Sequence, residues 1–162
     1  MAQFREEQRF EWHWTAMFFV PALIVGYGLY RRVGLSQPAI SGALLWPAFA
    51  VSVVVAVWFL RIQLVTEVRD AGLFISFVWL WPERTIPWDQ MRSVEVRTYR
   101  PILDFGGWGV RSAARGIVYH ARGNRGVRLV LASGERVLIG SQQAGDLAQA
   151  IASRAGLPVT SS

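Results

Sequence analysis

The sequence predicts a two-helix transmembrane hairpin followed by a mainly β domain of about seven antiparallel strands and a C-terminal helix. Three observations carry that expectation. Between residues 12 and 60 the only charged side chains are Arg31 and Arg32, whereas residues 61–162 hold thirteen Arg and eight acids. After Arg61 the apolar pattern drops from continuous to a period of two, the spacing of a strand with one face covered. After Ser141 it changes again, to the spacing of an amphipathic helix.

Residues 12–30 form an uncharged run that, as a helix, spans about 28 Å, against a hydrocarbon core of about 30 Å. Residues 40–60 give a second run of about 31 Å. Trp12, Trp14, Tyr27 and Tyr30 near the ends of the first run, and Trp58 near the end of the second, suit the headgroup zone. Gly34, Ser36 and Pro38 favour a tight link, which makes the two helices antiparallel neighbours. Ala22 and Gly26 on the first helix, and Ala48, Ser52 and Ala56 on the second, recur at the four-residue spacing by which small residues let helices approach. Glu6, Glu7 and Glu11 ahead of the first run argue against a cleaved signal peptide. Arg5, Arg9, Arg61 and Arg69 on the terminal side outnumber Arg31 and Arg32 in the loop. That bias predicts an integral protein of the inner (cytoplasmic) membrane, with both termini and the β domain cytoplasmic.

The expected organisation is an N-terminal tail and transmembrane hairpin over residues 1–61, with spans at about 12–30 and 40–60, a β domain over 62–158, and a disordered tail over 159–162. In the β domain, Ile62, Leu64, Thr66 and Val68 share one face of a first strand, and Asp70-Ala71-Gly72 turns it back. Residues 73–80 are apolar on both faces until Pro82. Further strands are expected near 85–88, 92–99, 115–121, 126–132 and 136–139, with turns at Gly123-Asn124-Arg125-Gly126 and Ser133-Gly134-Glu135. Ser141 then caps a helix whose apolar face is Ala144, Leu147, Ala148, Ile151 and Ala155, with Arg154 at its C-terminal dipole and Gly156 and Pro158 as stops. A lone helix must bury that face on the sheet, and plugging the open end of a bent sheet or barrel does so.

Composition removes several chemistries. The chain has no Cys, which excludes thiolate metal sites, disulfides and cysteine nucleophiles. All seventeen cationic side chains are Arg, so a Lys-dependent phosphate loop or Schiff base is excluded too. His13 and His120 are the two histidines, and no acids are grouped with them in a metal-ligand spacing. No Ser or acid stands in a triad context, so the reading is non-catalytic, with no cofactor and no metal.

Two apolar runs, then strands with Asp70-Ala71-Gly72 and Thr85-Ile86-Pro87-Trp88-Asp89-Gln90-Met91, then Ser133-Gly134-Glu135 and a final helix, make up a layout over about residues 40–155. That layout resembles the bacterial pleckstrin-homology-like domains of small membrane proteins of unassigned function. The resemblance implies a pleckstrin-homology-like β domain with a binding role. The basic cluster by which inositol-phosphate readers of that fold act is not carried over, because the corresponding turn here is the acidic Asp70-Ala71-Gly72.

Two stretches stand out as candidate binding sites. Gly106, Gly107 and Gly109 around Trp108 free the backbone for close approach, with Trp108 and Arg111 as aromatic and cationic anchors. Trp79, Trp81 and Arg84 surround the Pro82 turn, an aromatic tip suited to an interface. Residues 61–162 carry a net charge of +5, which favours an anionic lipid surface. No recognition helix or RNA-binding strand motif accompanies that charge, so a nucleic-acid partner is not expected. The expected function is a membrane-anchored binding or scaffolding module acting on protein or lipid headgroups. The alternative is an accessory subunit of a larger membrane complex, docking through the small-residue stripes.

Overall fold

The computed structural model describes residues 4–10, 19–20, 23–28, 30–31, 40–106, 109–113 and 116–161, with the side chains of 40–45 and 113 outside that description. It divides into two compact units, one of residues 1–9 with 62–162 and one of residues 10–61.

The larger unit is built from two sheets. β1 (Phe4–Arg9), β2 (Gln63–Arg69), β3 (Gly72–Val78) and β4 (Trp81–Ile86) form an antiparallel meander in that order. The second sheet has the order β10-β5-β8-β9-β7-β6, with β5 (Met91–Thr98), β6 (Gly109–Ala113), β7 (Gly116–His120), β8 (Arg125–Leu131), β9 (Arg136–Gly140) and β10 (Val159–Ser161). Two of its pairings are parallel, β7 with β9 and β10 with β5. The described residues therefore form ten strands of mixed pairing, where the sequence led us to expect seven antiparallel ones. The addition of β1 and β10 comes from segments read as tails.

Alternation decides which side chains go inside. Leu64 and Val68 of β2, Leu73, Ile75 and Phe77 of β3, Val127 and Leu129 of β8, and Val137 and Ile139 of β9 are all fully buried. α3 (Ala144–Ala155) contributes Leu147, Ala148 and Ile151 to the same core and packs against β5 and β8. Its N-cap is Gln143, which makes no side-chain cap bond; Ser141, the expected cap, instead accepts the Gln143 amide at 3.0 Å just ahead of the helix, which ends on Gly156 at φ 67. Two glycines are steric necessities. A Cβ on Gly116 would stand 1.7 Å from the Arg136 carbonyl oxygen across the parallel β7–β9 pair, and one on Gly72 would stand 2.4 Å from that of Ile86.

The smaller unit contains α1 (Ile40–Arg61) and described helical residues at 19–20, 23–28 and 30–31. Among the described residues no helix is long and apolar enough to cross a membrane. This overturns the transmembrane hairpin, with its spans at about 12–30 and 40–60, and with it the membrane class and the integral inner-membrane location. A crossing needs one continuous helix that is both long and apolar enough, and none of the described stretches meets the two conditions together. Of the expected helix-packing residues, Ala56 is fully buried and Gly26 lies against the Phe49 ring, where an added Cβ would make a 3.4 Å contact. Ala48 is exposed, Ser52 returns its hydroxyl to the Ala48 carbonyl at 2.8 Å, and Ala22 lies outside the described residues.

Candidate functional site

The chemistry-bearing groups of the β unit gather at one end. Arg9, Gln63 and Val78 are register partners across β1, β2 and β3, so the β3–β4 turn sits at the rim where β1 stops and β2 starts. One residue in from that rim, Gln8 Nε2 donates to the Gly140 carbonyl at 2.7 Å, which ties this end of the first sheet to the last residue of β9. Gly140 is in register with Gly126, and Gly126 with Arg97 near the end of β5. The ends of β5, β7 and β9 and the start of β8 therefore share this end with the β3–β4 turn.

Inside it lies a polar seam. The Glu6 carboxylate is buried and takes the Ser141 hydroxyl on one oxygen and the Gln142 amide, at 2.7 Å, on the other. Tyr99 Oη and His120 Nδ1 are 2.8 Å apart, and Gly140 passes so close that a Cβ there would stand 2.8 Å from the Tyr99 oxygen. Burial pushes the His120 imidazole down to about 4 and the Tyr99 phenol well above its usual value. His120 is thus neutral at physiological pH, and with no accessible surface it presents nothing to a substrate. Glu6 and Gln8 join the sheets, and the Tyr99–His120 pair lies within the second. Sequence reading missed Glu6, Gln8 and Ser141 as one cluster, since their partners are more than a hundred residues apart.

Outside the seam, two turns present aromatic and apolar side chains at the surface. The β3–β4 turn closes with the Leu80 amide donating to the Phe77 carbonyl at 2.9 Å, and it holds Trp79 at φ 66, the left-handed region. Trp79 is 71% exposed and Trp81 51% exposed, with Leu80 exposed between them. A bulky L-residue in that conformation costs about 1–2 kcal/mol, and the exposed indole recovers little of it by burial. A second apolar turn follows β5. α2 (Pro101–Phe105) starts with Pro at its first position, accepts the Arg100 amide on Asp104 Oδ2 at 2.8 Å, and stops at Gly106 with φ 70. Phe105 turns inward onto Tyr99, Val118 and Leu138. Ile102 and Leu103 point out, 59% and 75% exposed.

Trp81 belongs to the exposed tip. Arg84 makes a two-pronged pair with Glu135, both contacts 2.7 Å, which joins β4 to the β8–β9 turn. The hydrogen-bonded Glu135 carboxylate holds the Arg84 guanidinium above its usual value, and Arg84 holds the Glu135 carboxyl below its own. Gly106 caps α2, Gly109 opens β6 at φ 106, and Arg111 is exposed on β6. Gly107 and Trp108 lie outside the described residues. Among the described residues no cluster of His, Asp or Glu is placed to hold a metal ion.

No curated protein matches this sequence. A family model matches residues 12–157, nearly the whole chain, and the protein belongs to that family, DUF6141, a family of unknown function.

Proposed function

We propose that the protein is a non-catalytic binding module whose β unit presents the Trp79-Leu80-Trp81 tip to a partner. The observation that carries this reading is the combination at Trp79 of a left-handed backbone and an exposed indole. Stability alone favours Gly or Asn at such a position, so an exposed Trp there answers to something outside the unit. Trp is also the side chain that most often anchors an interface. The polar seam supports the non-catalytic half of the reading, because its titratable groups are buried and spent, Glu6 on bonds between the sheets and His120 on Tyr99 within the second. The resemblance to pleckstrin-homology-like domains points the same way.

Trp79→Asn and Trp79→Gly test the reading by chemical denaturation of the full chain. Relief of the backbone strain offsets the lost contacts, so stability stays within about 1 kcal/mol of the parent or rises. A loss above about 2 kcal/mol would make Trp79 a packing residue and end the interface reading.

A further inference from the structure

The tip shares its end of the β unit with a set of cations that the tip alone does not explain. Arg9 is exposed on the rim beside Gln63 and Val78. Arg97 and Arg100 are exposed where β5 gives way to α2, and Arg122 and Arg125 are exposed at the turn that leads into β8. Thr98 is the register partner of Arg125, and the Tyr99 amide donates to the Asn124 carbonyl at 2.9 Å, which holds the two Arg-bearing turns together. Of the acids near this end, Glu83 is exposed on β4 beyond Trp81 and the others are engaged. Asp104 accepts the Arg100 amide, and Glu6 is inside the seam.

The pattern is therefore two convex apolar turns, Trp79-Leu80-Trp81 and Ile102-Leu103, on an end lined by Arg. A layer of lipid headgroups accommodates several such protrusions at once, with no matching cavity needed for each. Indole rings favour that layer, and guanidinium groups pair with its phosphates. The chain's net charge of +6 adds attraction to an anionic surface.

We infer that this end of the β unit docks peripherally on an anionic lipid surface. Trp79, Leu80, Trp81, Ile102 and Leu103 enter the headgroup layer, and the rim Arg side chains meet the lipid phosphates. This contact uses turns of the β unit and requires no helix to cross the bilayer. It rests on the binding-module reading above and names the partner's chemistry.

The test is co-sedimentation of the purified full chain with phosphatidylcholine vesicles, with and without about one-third phosphatidylserine. Residues 10–61 also expose apolar side chains, so the readout is the difference between variant and parent. Trp79→Ser with Trp81→Ser should weaken partitioning onto the anionic vesicles at least ~10-fold. Arg100→Gln with Arg125→Gln should erase most of the preference for phosphatidylserine, and raising the salt should do the same to the parent. Partitioning that ignores phosphatidylserine, or that both double variants leave unchanged, overturns the lipid inference. If that happens while the Trp79→Asn chain keeps its stability, the binding module stands and its partner is a protein. If Trp79→Asn unfolds the chain, both readings fall.

Discussion

The buried carboxylate of Glu6 accepts the backbone amide of Gln142 at 2.7 Å, across 136 residues of sequence. The same carboxylate takes the Ser141 hydroxyl, so one side chain on β1 satisfies the donors that precede α3. A hydrogen bond to a charged group contributes about 1.5–3 kcal/mol, and truncating it leaves buried donors without an acceptor. Glu6→Ala should therefore cost about 3 kcal/mol by urea denaturation, and hydrogen exchange at the Gln142 amide should accelerate. An unchanged exchange rate would show that β1 does not clamp this junction.

His120 gives the fold a pH dependence with a defined sign. Its folded pKa is lowered to about 4 from 6.5 by burial, so between those values the unfolded chain binds a proton that the folded chain does not. Its contribution is constant above pH 6.5 and falls as the pH drops towards 4, with a slope of at most about 1.4 kcal/mol per pH unit. His120→Gln should flatten that part of the stability profile relative to the parent. Parallel profiles would mean that the imidazole is solvated.

The Arg84–Glu135 pair joins the edge of one sheet to a turn of the other with both groups half-buried. A two-pronged geometry at that depth contributes about 1 kcal/mol. A double-mutant cycle of Arg84→Ala and Glu135→Ala should return a coupling near that size at neutral pH. Because Arg84 lowers the Glu135 pKa, the coupling is present above the ordinary carboxyl range and vanishes as the pH falls through the folded value. Zero coupling at neutral pH would return Arg84 to the surface as an available cation.

Gly116 tests the parallel β7–β9 pairing, which no local sequence signal announces. With a Cβ 1.7 Å from the Arg136 carbonyl oxygen, Gly116→Ala has to push the strands apart and should cost more than about 3 kcal/mol. Gly145, where an added Cβ meets nothing within 4 Å, is the control, and Gly145→Ala should be neutral or mildly stabilising. Equal effects at the two sites would exclude that pairing.

What the sequence disclosed follows from where each interaction is encoded. β2, β3, β5, β8 and β9 were legible because their alternation is local, and α3 because its apolar face, Gly156 and Arg154 all lie within one short stretch. β1 was not legible. Its inward positions are Glu6 and Gln8, polar groups whose partners Ser141, Gln142 and Gly140 are distant in sequence, so the strand reads as a charged tail. β10 is three exposed residues held by parallel pairing to β5, again without a local pattern. The uncharged runs at 12–30 and 40–60 misled because absence of charge alone does not make a membrane span, and among the described residues no helix is long and apolar enough to be one. At the candidate site, the tip was visible as a Trp-rich turn. The left-handed Trp79 was not, since that conformation runs against Trp's own preference. The second apolar turn at Ile102 and Leu103 also went unread, because its exposure depends on Phe105 turning inward to Tyr99.

The most direct test of the binding surface is fluorine NMR of the full chain labelled with 5-fluorotryptophan, with resonances assigned through Trp79→Phe, Trp81→Phe and Trp88→Phe. The signals of residues 79 and 81 should show a large water-isotope shift in the isolated protein and move on addition of phosphatidylserine vesicles, while that of Trp88 stays in place. Signals from 79 and 81 with no water-isotope shift would rule out this binding surface, because an indole already shielded by the protein's own fold has no surface left to offer a partner.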